Sequence, residues 1–351
     1  MKTILAIDLG KRNSVFCRFD TVSLKTKYSN VKTSSENFYE IFKDLDFKES
    51  IVLFETGSQV GWIADMLREM GIAFKAANTN DPAWKWTNNQ NKSDKNDAHR
   101  LAMMYHHGFF PEVHIPSLNV RQNRSLIYYR RKIVSRMTQI KNSIRALMAT
   151  VDIELPAGKS CWTDKSFTKL KKLALPFDEV DHCQLWRYQL YTELKQYDSL
   201  LECLNGTTNS LDKINSTEPK VKLLQTVPGV GPRTAEAIVS VIDDPHRFKS
   251  CRQVCNYVGF TPRRYQSGEM DRTGRISKRG NPHLRGLLVQ AAWLSLRFSW
   301  ANEIFTRVCR GSSKRRNIAI IAVARHLLIR CWAMLRDNKP WQYDRINSKT
   351  V

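Results

Sequence analysis

The chain has 351 residues, enough for two or three domains with cores of their own, and its 56 Lys plus Arg against 33 Asp plus Glu give a formal charge of +23. Such a basic excess points to polyanionic partners, nucleic acid first, and the length excludes a small scaffold held by disulfides. The eight cysteines, at 17, 161, 183, 203, 251, 255, 309 and 331, lack zinc-ribbon spacing, and even Cys251 and Cys255 read as reduced packing residues.

The opening MKTILAIDLG has an apolar run that ends at Asp8, too short for an export signal. TILAID (3–8) reads as a strand, LGKRN as a turn, and SVFCRFD (14–20) and VSLKTKYS (22–29) as two further strands of a meander. SSENFYEIFKDLD then shows helical spacing at Phe38, Ile41, Phe42 and Leu45 behind N-cap serines. IVLFET (51–56) is a buried strand, WIADMLREMG a helix stopped by Gly71, AFKAAN a last strand and DKNDAHRLAMMYHH a helix. The order βββαβαβα is the layout of a ribonuclease-H-like α/β domain, expected over 1–112.

A helical region is expected over 117–215. Leu126, Ile133, Met137, Ile140, Ile144 and Leu147 form one apolar face, while eight basic residues, Arg130, Arg131 and Lys132 among them, precede the first acid, Asp152. That charged face either lies along phosphates or is simply solvated. A Pro, Gly and Lys-rich connector (156–176) leads to DHCQLWRYQLYTELKQYDSLLECLNG, so the two helical stretches suggest an antiparallel coiled-coil arm or a dimer interface.

The third region, 217–345, is expected to be mostly α. Net charge rises along the chain from +2 (15 basic, 13 acidic in 1–110) through +5 (16 and 11 in 111–216) to +16 (25 and 9 in 217–351), so the main electrostatic grip belongs here. VPGVGPRTA has the pattern of a helix-hairpin-helix in which Gly229, Gly231 and Arg233 hold a backbone phosphate; the alternative is a helix–helix turn with glycines for geometry alone. Residues 259–293 read as a loop-rich basic surface with Arg263, Arg264, Arg272, Arg275, Lys278, Arg279 and Arg285, and hold two hydroxyl nucleophile candidates, Ser267 and Ser277. The apolar stretch 317–335 is interrupted by Arg325, His326 and Arg330, which favours a buried helix with one basic face over a membrane span. The expectation is a soluble intracellular protein without a membrane partner, cytoplasmic and nucleoid-associated in a bacterium.

Four acids stand at fold-compatible places. Asp8 on TILAID and Glu55 on IVLFET belong to strands that neighbour each other in a ribonuclease-H-like sheet, and the last helix brings Asp94 and Asp97 to the same edge. Ser93 or Asp94 as N-cap with Asp97 in the first turn is the plain reading of that pair; the sharper one is a carboxylate set holding Mg²⁺ or Mn²⁺ for phosphodiester chemistry. IDLGKRNS also looks like the phosphate-binding hairpin of sugar-kinase and actin-like ATPases, but that architecture needs a second Asp-x-Gly loop, and Asp8 to Gly10 is the only one.

Asp8 in AIDLGK, Glu55 in FETG, KSDKNDA at 92–98, VPGVGPRTA and the SG…GRISKRGN…LR block together resemble the insertion-sequence transposases with a DEDD ribonuclease-H-like (RuvC-like) domain, relatives of the Piv-type DNA invertases understood as bridge-RNA-guided serine recombinases. The resemblance spans nearly the whole chain. It implies that Asp8, Glu55, Asp94 and Asp97 bind Mg²⁺, Asp94 either directly or as a helper behind the ligands. It implies that Ser267 attacks DNA to form a phosphoserine link, in an active site composed from both ends of the chain. It also implies a homodimer assembling to a tetramer, and a structured non-coding guide RNA that pairs with target and donor DNA. Two other classes stand beside this one: a Holliday-junction-type nuclease using the same acids with water, and a nucleic-acid-binding protein without catalysis.

Overall fold

The computed structural model describes residues 2–79, 93–268 and 270–342. The expected boundary at 345 and Lys92 of KSDKNDA lie outside the described residues. By its contacts the chain divides into two units, Met1–Asn119 and Val120–Val351.

The first unit is built on one mixed sheet. β1 (Thr3–Asp8), β2 (Asn13–Asp20) and β3 (Thr26–Lys32) form an antiparallel meander, followed by α1 (Ser35–Phe42), β4 (Ser50–Glu55), α2 (Val60–Glu69), β5 (Ala73–Ala77), α3 (Asp94–His106) and a two-residue β6 (Glu112–Val113). The sheet order is β3-β2-β1-β4-β5-β6, with β4 parallel to both β1 and β5 and β6 antiparallel on the edge. The unbroken runs Ile4–Ile7 and Ile51–Phe54 are buried because helices cover both faces of the sheet. Leu5, Ile7, Val52 and Phe54 pack with Phe38, Phe42, Ile63 and Leu67, whereas Ile4, Ala6, Ile51 and Leu53 pack with Ala98, Leu101 and Ala102 of α3. This architecture is consistent with the expected ribonuclease-H-like domain, with β6 added. The third strand begins at Thr26 and not at Val22. Asp20 Oδ1 accepts from the Val22 and Ser23 amides at 3.0 and 2.7 Å, and Leu24 takes a φ of +57°, so residues 21–25 are spent on the turn.

In the second unit two 33-residue helices, α4 (Leu118–Thr150) and α6 (Leu185–Thr217), run antiparallel. Ser143 Oγ donates to Glu193 Oε1 at 2.6 Å and Arg130 Nε to Thr208 Oγ1 at 3.0 Å, so residues early in one helix meet residues late in the other. Of the predicted face, Ile133, Met137, Ile140, Ile144 and Leu147 share a core with Leu190, Leu194 and Tyr197, whereas Leu126 is only half-buried and its neighbour Ile127 is the buried residue. Between them the stretch read as a connector contains a helix, α5 (Asp164–Leu173). Its apolar face is narrow, Leu170 buried and Phe167 stacked on Tyr197 at 4.8 Å between ring centroids, and four lysines mask it in the sequence.

The remainder holds α7 (Pro219–Gln225), α8 (Pro232–Ile242), α9 (Cys251–Val258), β7 (Pro262–Ser267), β8 (Met270–Ile276), α10 (Pro282–Ser295), α11 (Ser299–Cys309) and α12 (Arg316–Asp337). By length and composition α12 passes for a membrane span, yet 56% of its apolar stretch is buried inside the protein. Val323, Leu327, Leu328 and Cys331 sit in the core shared with α8, α9 and α10, the place of a core helix. The region expected to be loop-rich instead contains the β7–β8 hairpin. Both strands are exposed along nearly their full length and polar at most positions, so no apolar alternation announces them.

Candidate active site and nucleic-acid surface

Strand register places the first two acids. β1 and β4 pair in parallel at a constant offset from Thr3↔Ser50 to Ile7↔Phe54, and one further step sets Asp8 beside Glu55 at the carboxyl ends of both strands. Side chains alternate along a strand, so Asp8 and Glu55 share the face of Ala6 and Leu53, the face that α3 covers. Both are half-buried.

The direction of α3 decides where the other two fall. His99 Nδ1 is 3.9 Å from Cys17 Sγ, and the His106 ring lies 5.3 Å from that of Phe19. Cys17 pairs with Ala6 and Phe19 with Ile4, so α3 runs antiparallel to β1 and its N-terminus lies toward Asp8. Ser93 is the N-cap, its Oγ accepting from the Asn96 amide at 3.3 Å. The capping task is therefore met without either aspartate. Asp94, Asp97 and the buried Leu101 follow one another at i, i+3 and i+7, which puts both acids on the stripe that faces the sheet, Asp97 half-buried and Asp94 exposed. The N-terminal turn of α3, with Asp97 and the exposed Asp94, thus lies toward the carboxyl ends of β1 and β4. Among the described residues, no three His, Cys, Asp or Glu side chains are grouped closely enough to hold a metal ion.

The turn after Asp8 is tightly specified. A Cβ on Gly10 would stand 2.0 Å from Asn13 O, and Thr33 Oγ1 donates to Gly10 O at 2.9 Å, so the chain can leave β1 this sharply only with glycine there. Lys11 and Arg12 follow, both exposed at the same end of β1.

In the second unit Ser267 ends β7, exposed at the hairpin turn, with Gly268 at a φ of +55°. Ser277 is placed differently: its Oγ is buried without a hydrogen-bond partner among the described residues, and its amide donates to Thr261 O at 2.7 Å. The basic residues differ as much. Lys132, Arg275, Lys278 and Arg279 are exposed, and Arg263 reaches Ser277 O at 3.4 Å. Arg264 makes a two-pronged pair with Asp271 at 2.8 and 2.6 Å across the hairpin, which lowers the Asp271 carboxyl and raises the guanidinium. Arg285 lies in a cage of carbonyls, donating to Val258 O, Gly280 O and Arg279 O at 2.8, 3.2 and 3.4 Å, and burial lowers its pKa.

Gly229 takes a φ of +95°, and a Cβ on it would meet Ser295 Oγ at 2.2 Å; the α7–α8 turn therefore needs this glycine for close approach to α10. Gly231 is the N-cap of α8 with open space before it. Arg233 in the first turn of α8 pairs with Asp212 and, at 3.1 Å, with Glu236. Glu236 is 4% exposed, and burial raises its pKa against the pull of Asn215, Arg233 and Arg130. Arg130 and Arg131 on α4 face the first turn of α10, where Asn281 Oδ1 caps the His283 and Leu284 amides at 3.0 and 3.1 Å and Asn281 Nδ2 donates to Tyr128 OH. Burial, then Arg131 and Arg130, push the His283 imidazole down to about 4. Sequence reasoning missed His283; its one signal is the Asn-Pro-His start of a helix.

Residues 5–152 match the IS110-group DEDD family model, described as a transposase, and residues 221–306 match the family described as transposase IS116/IS110/IS902. The chain is 27% identical over 264 residues to the transposase for insertion sequence element IS1111A of Coxiella burnetii, covering 72% of this chain and 69% of that protein. It is 26% identical over 316 residues to the putative transposase y4rJ of Sinorhizobium fredii, covering 81% and 76%. A pilin gene-inverting protein of Moraxella lacunata is 32% identical over 124 residues, 35% of this chain and 38% of that one.

Proposed function

This chain belongs to the IS116/IS110/IS902 family of insertion-sequence transposases, and we propose that it cuts and rejoins DNA through a covalent phosphoserine intermediate formed on Ser267. The observation that carries the chemistry is the edge of the first unit, where Asp8 and Glu55 are neighbours on parallel strand ends and the acidic first turn of α3 lies at the same end. Carboxylates alone make a hard-oxygen donor set suited to Mg²⁺ or Mn²⁺. Mg²⁺ keeps several waters and is bound through one or two carboxylates, so the Asp8–Glu55 pair fits it without a closed cage. When bound, the ion supplies charge neutralisation at the scissile phosphate. Asp97, on the first turn of α3, would complete the set around a bound ion, and Asp94 would join it directly or support it from outside.

Ser267 sits where a hydroxyl is accessible, at an exposed hairpin turn. Its Oγ forms a bond to phosphorus and gives up its proton as the P–O bond to one sugar breaks, and that sugar oxygen leaves with a proton. Attack of a sugar hydroxyl on the phosphoserine reverses the exchange and frees Ser267, so the phosphodiester energy is conserved and no ATP is needed. The positive second unit holds backbones, through Arg130, Arg131, Lys132, Arg263, Arg275, Lys278 and Arg279, and with Gly231 and Arg233 at the start of α8. Base-level specificity comes from a structured guide RNA that pairs with target and donor DNA, on a homodimer that assembles to a tetramer in the bacterial cytoplasm.

Incubation with cognate DNA and Mg²⁺ tests the reading. A protein–DNA adduct is expected for the parent and absent for Ser267→Ala. Free 5′-phosphate ends without any adduct would instead establish the Holliday-junction-type nuclease, with water as nucleophile.

A further inference from the structure

A groove of about 320 Å³ opens where α4, α8 and α10 meet, lined by Arg130, Arg131, Arg233, Glu236, His283 and Gly286 among others. Its charges are unevenly satisfied. Arg233 is occupied by Asp212 and Glu236, and Asn215 donates to the same Glu236 carboxylate. Arg130 gives only its Nε, to the neutral Thr208 hydroxyl at 3.0 Å, and Arg131 makes no hydrogen bond or ion pair among the described residues. Two guanidinium groups therefore stand at the groove without an acid of their own. Burial first, then the field of these arginines, keeps the neighbouring His283 neutral.

Gly286 is the second, independent observation. It lies inside α10, where glycine destabilises a helix relative to alanine. Its φ is not positive, and a Cβ built on it meets nothing within 4 Å. Gly229, Gly259 and Gly280 are different, since a Cβ on each would strike an atom within 2.2 Å. Neither backbone conformation nor internal packing asks for glycine at 286. What its missing side chain provides is room, over the helix backbone and beside two arginines without acidic partners.

We propose that this groove seats one phosphodiester of a nucleic-acid backbone. Arg130 and Arg131 donate to the non-bridging oxygens, and Gly286 lets the sugar-phosphate chain lie against α10. Glu236 is a positioning residue that holds Arg233 at the groove wall. The site rests on the proposed function only in taking nucleic acid as its ligand, and it needs neither Ser267 nor a metal ion.

The test is equilibrium binding of the full chain, without divalent ions, to a DNA duplex and an RNA duplex of one arbitrary sequence over a range of salt. Gly286→Met adds a good helix former whose side chain fills the groove. It is expected to melt at or above the parent temperature and to bind about tenfold more weakly. Arg131→Gln, an exposed change, is expected to weaken binding about fivefold to tenfold and to reduce the salt slope by about one. Loss on DNA alone, on RNA alone or on both identifies which backbone the groove takes. A folded Gly286→Met that binds both polymers with parental affinity overturns the proposal, as does an Arg131→Gln variant with an unchanged slope. If the adduct on Ser267 is absent while these variants still lose binding, the catalytic reading falls and the groove stands.

Discussion

Asp8 and Glu55 stand one step beyond Ile7 and Phe54, the last paired residues of two neighbouring parallel strands, and strand alternation assigns both to the face covered by α3. On the proposed reading this pair holds a dication, which offsets the repulsion between the two carboxylates. Asp8→Asn keeps the shape of the side chain while removing its charge and exchanging one acceptor oxygen for an NH2 donor, so its folding stability is expected within about 1 kcal/mol of the parent. Removing groups that merely orient metal ligands costs about 10–100-fold, so losing a ligand should lower Mg²⁺-dependent strand cleavage at least about 100-fold. Thermal melts with and without Mg²⁺ check this directly: the ion raises the parent's Tm and leaves that of Asp8→Asn unmoved.

The two serines of the hairpin region should separate cleanly. Among the described residues Ser277 Oγ is buried with no partner, so Ser277→Ala removes an unsatisfied hydroxyl and is expected to be neutral or stabilising by up to about 1 kcal/mol, with the DNA adduct retained. Ser267 is exposed, and Ser267→Ala should leave the melt unchanged while abolishing the adduct. Denaturing gels of labelled DNA, run beside the melts, give both readouts. An adduct lost in Ser277→Ala and kept in Ser267→Ala would reverse the assignment.

The base of the hairpin is knitted by Arg285. Gly259 and Gly280 have φ values of +86° and +93°, and a Cβ on either would lie 2.0 or 1.9 Å from a carbonyl oxygen of the facing segment. Gly259→Ala or Gly280→Ala is expected to cost at least about 1–3 kcal/mol, since both strain and a backbone clash oppose it. Arg285→Met leaves three carbonyls without their shared donor and is expected to cost about 1–3 kcal/mol. Denaturant unfolding measures all three.

His283 makes stability depend on pH. The groups around it are Arg130 and Arg131 on α4, Tyr128 on the same helix, and Arg233 with Glu236 on α8. Its pKa falls from 6.5 to about 4 on folding, so the unfolded chain binds more protons between those values. Stability from this group is complete above pH 6.5 and is lost as pH falls from 6.5 toward 4, on the order of 1–3 kcal/mol. His283→Gln should flatten that part of the stability–pH curve, read by denaturant midpoints.

Much of the first unit is legible in the sequence because its signals are local. ILAI and IVLF are too apolar for anything but strands buried on both faces, and Ser93 announces the start of α3. The β7–β8 hairpin and α5 were not legible, for opposite reasons. The hairpin is polar on both faces, so only its backbone pairing makes it a sheet, and α5 hides a three-residue apolar face, Phe167, Leu170 and Leu173, among lysines.

What the sequence determined by itself is the inventory: four acids on particular elements, two serines in one basic block, and a charge that grows toward the C-terminus. What only the tertiary structure decided is partnership. The parallel offset of β1 and β4 makes neighbours of Asp8 and Glu55, the antiparallel course of α3 brings Asp94 and Asp97 to their end, and carbonyls close around Arg285 while Arg131 stays open. Residue type and spacing act over a turn of helix or a few strand positions. Which charges meet a partner depends on residues tens of positions away, as with Arg285 and Val258 or Arg233 and Asp212, and only packing of the whole unit sets those distances.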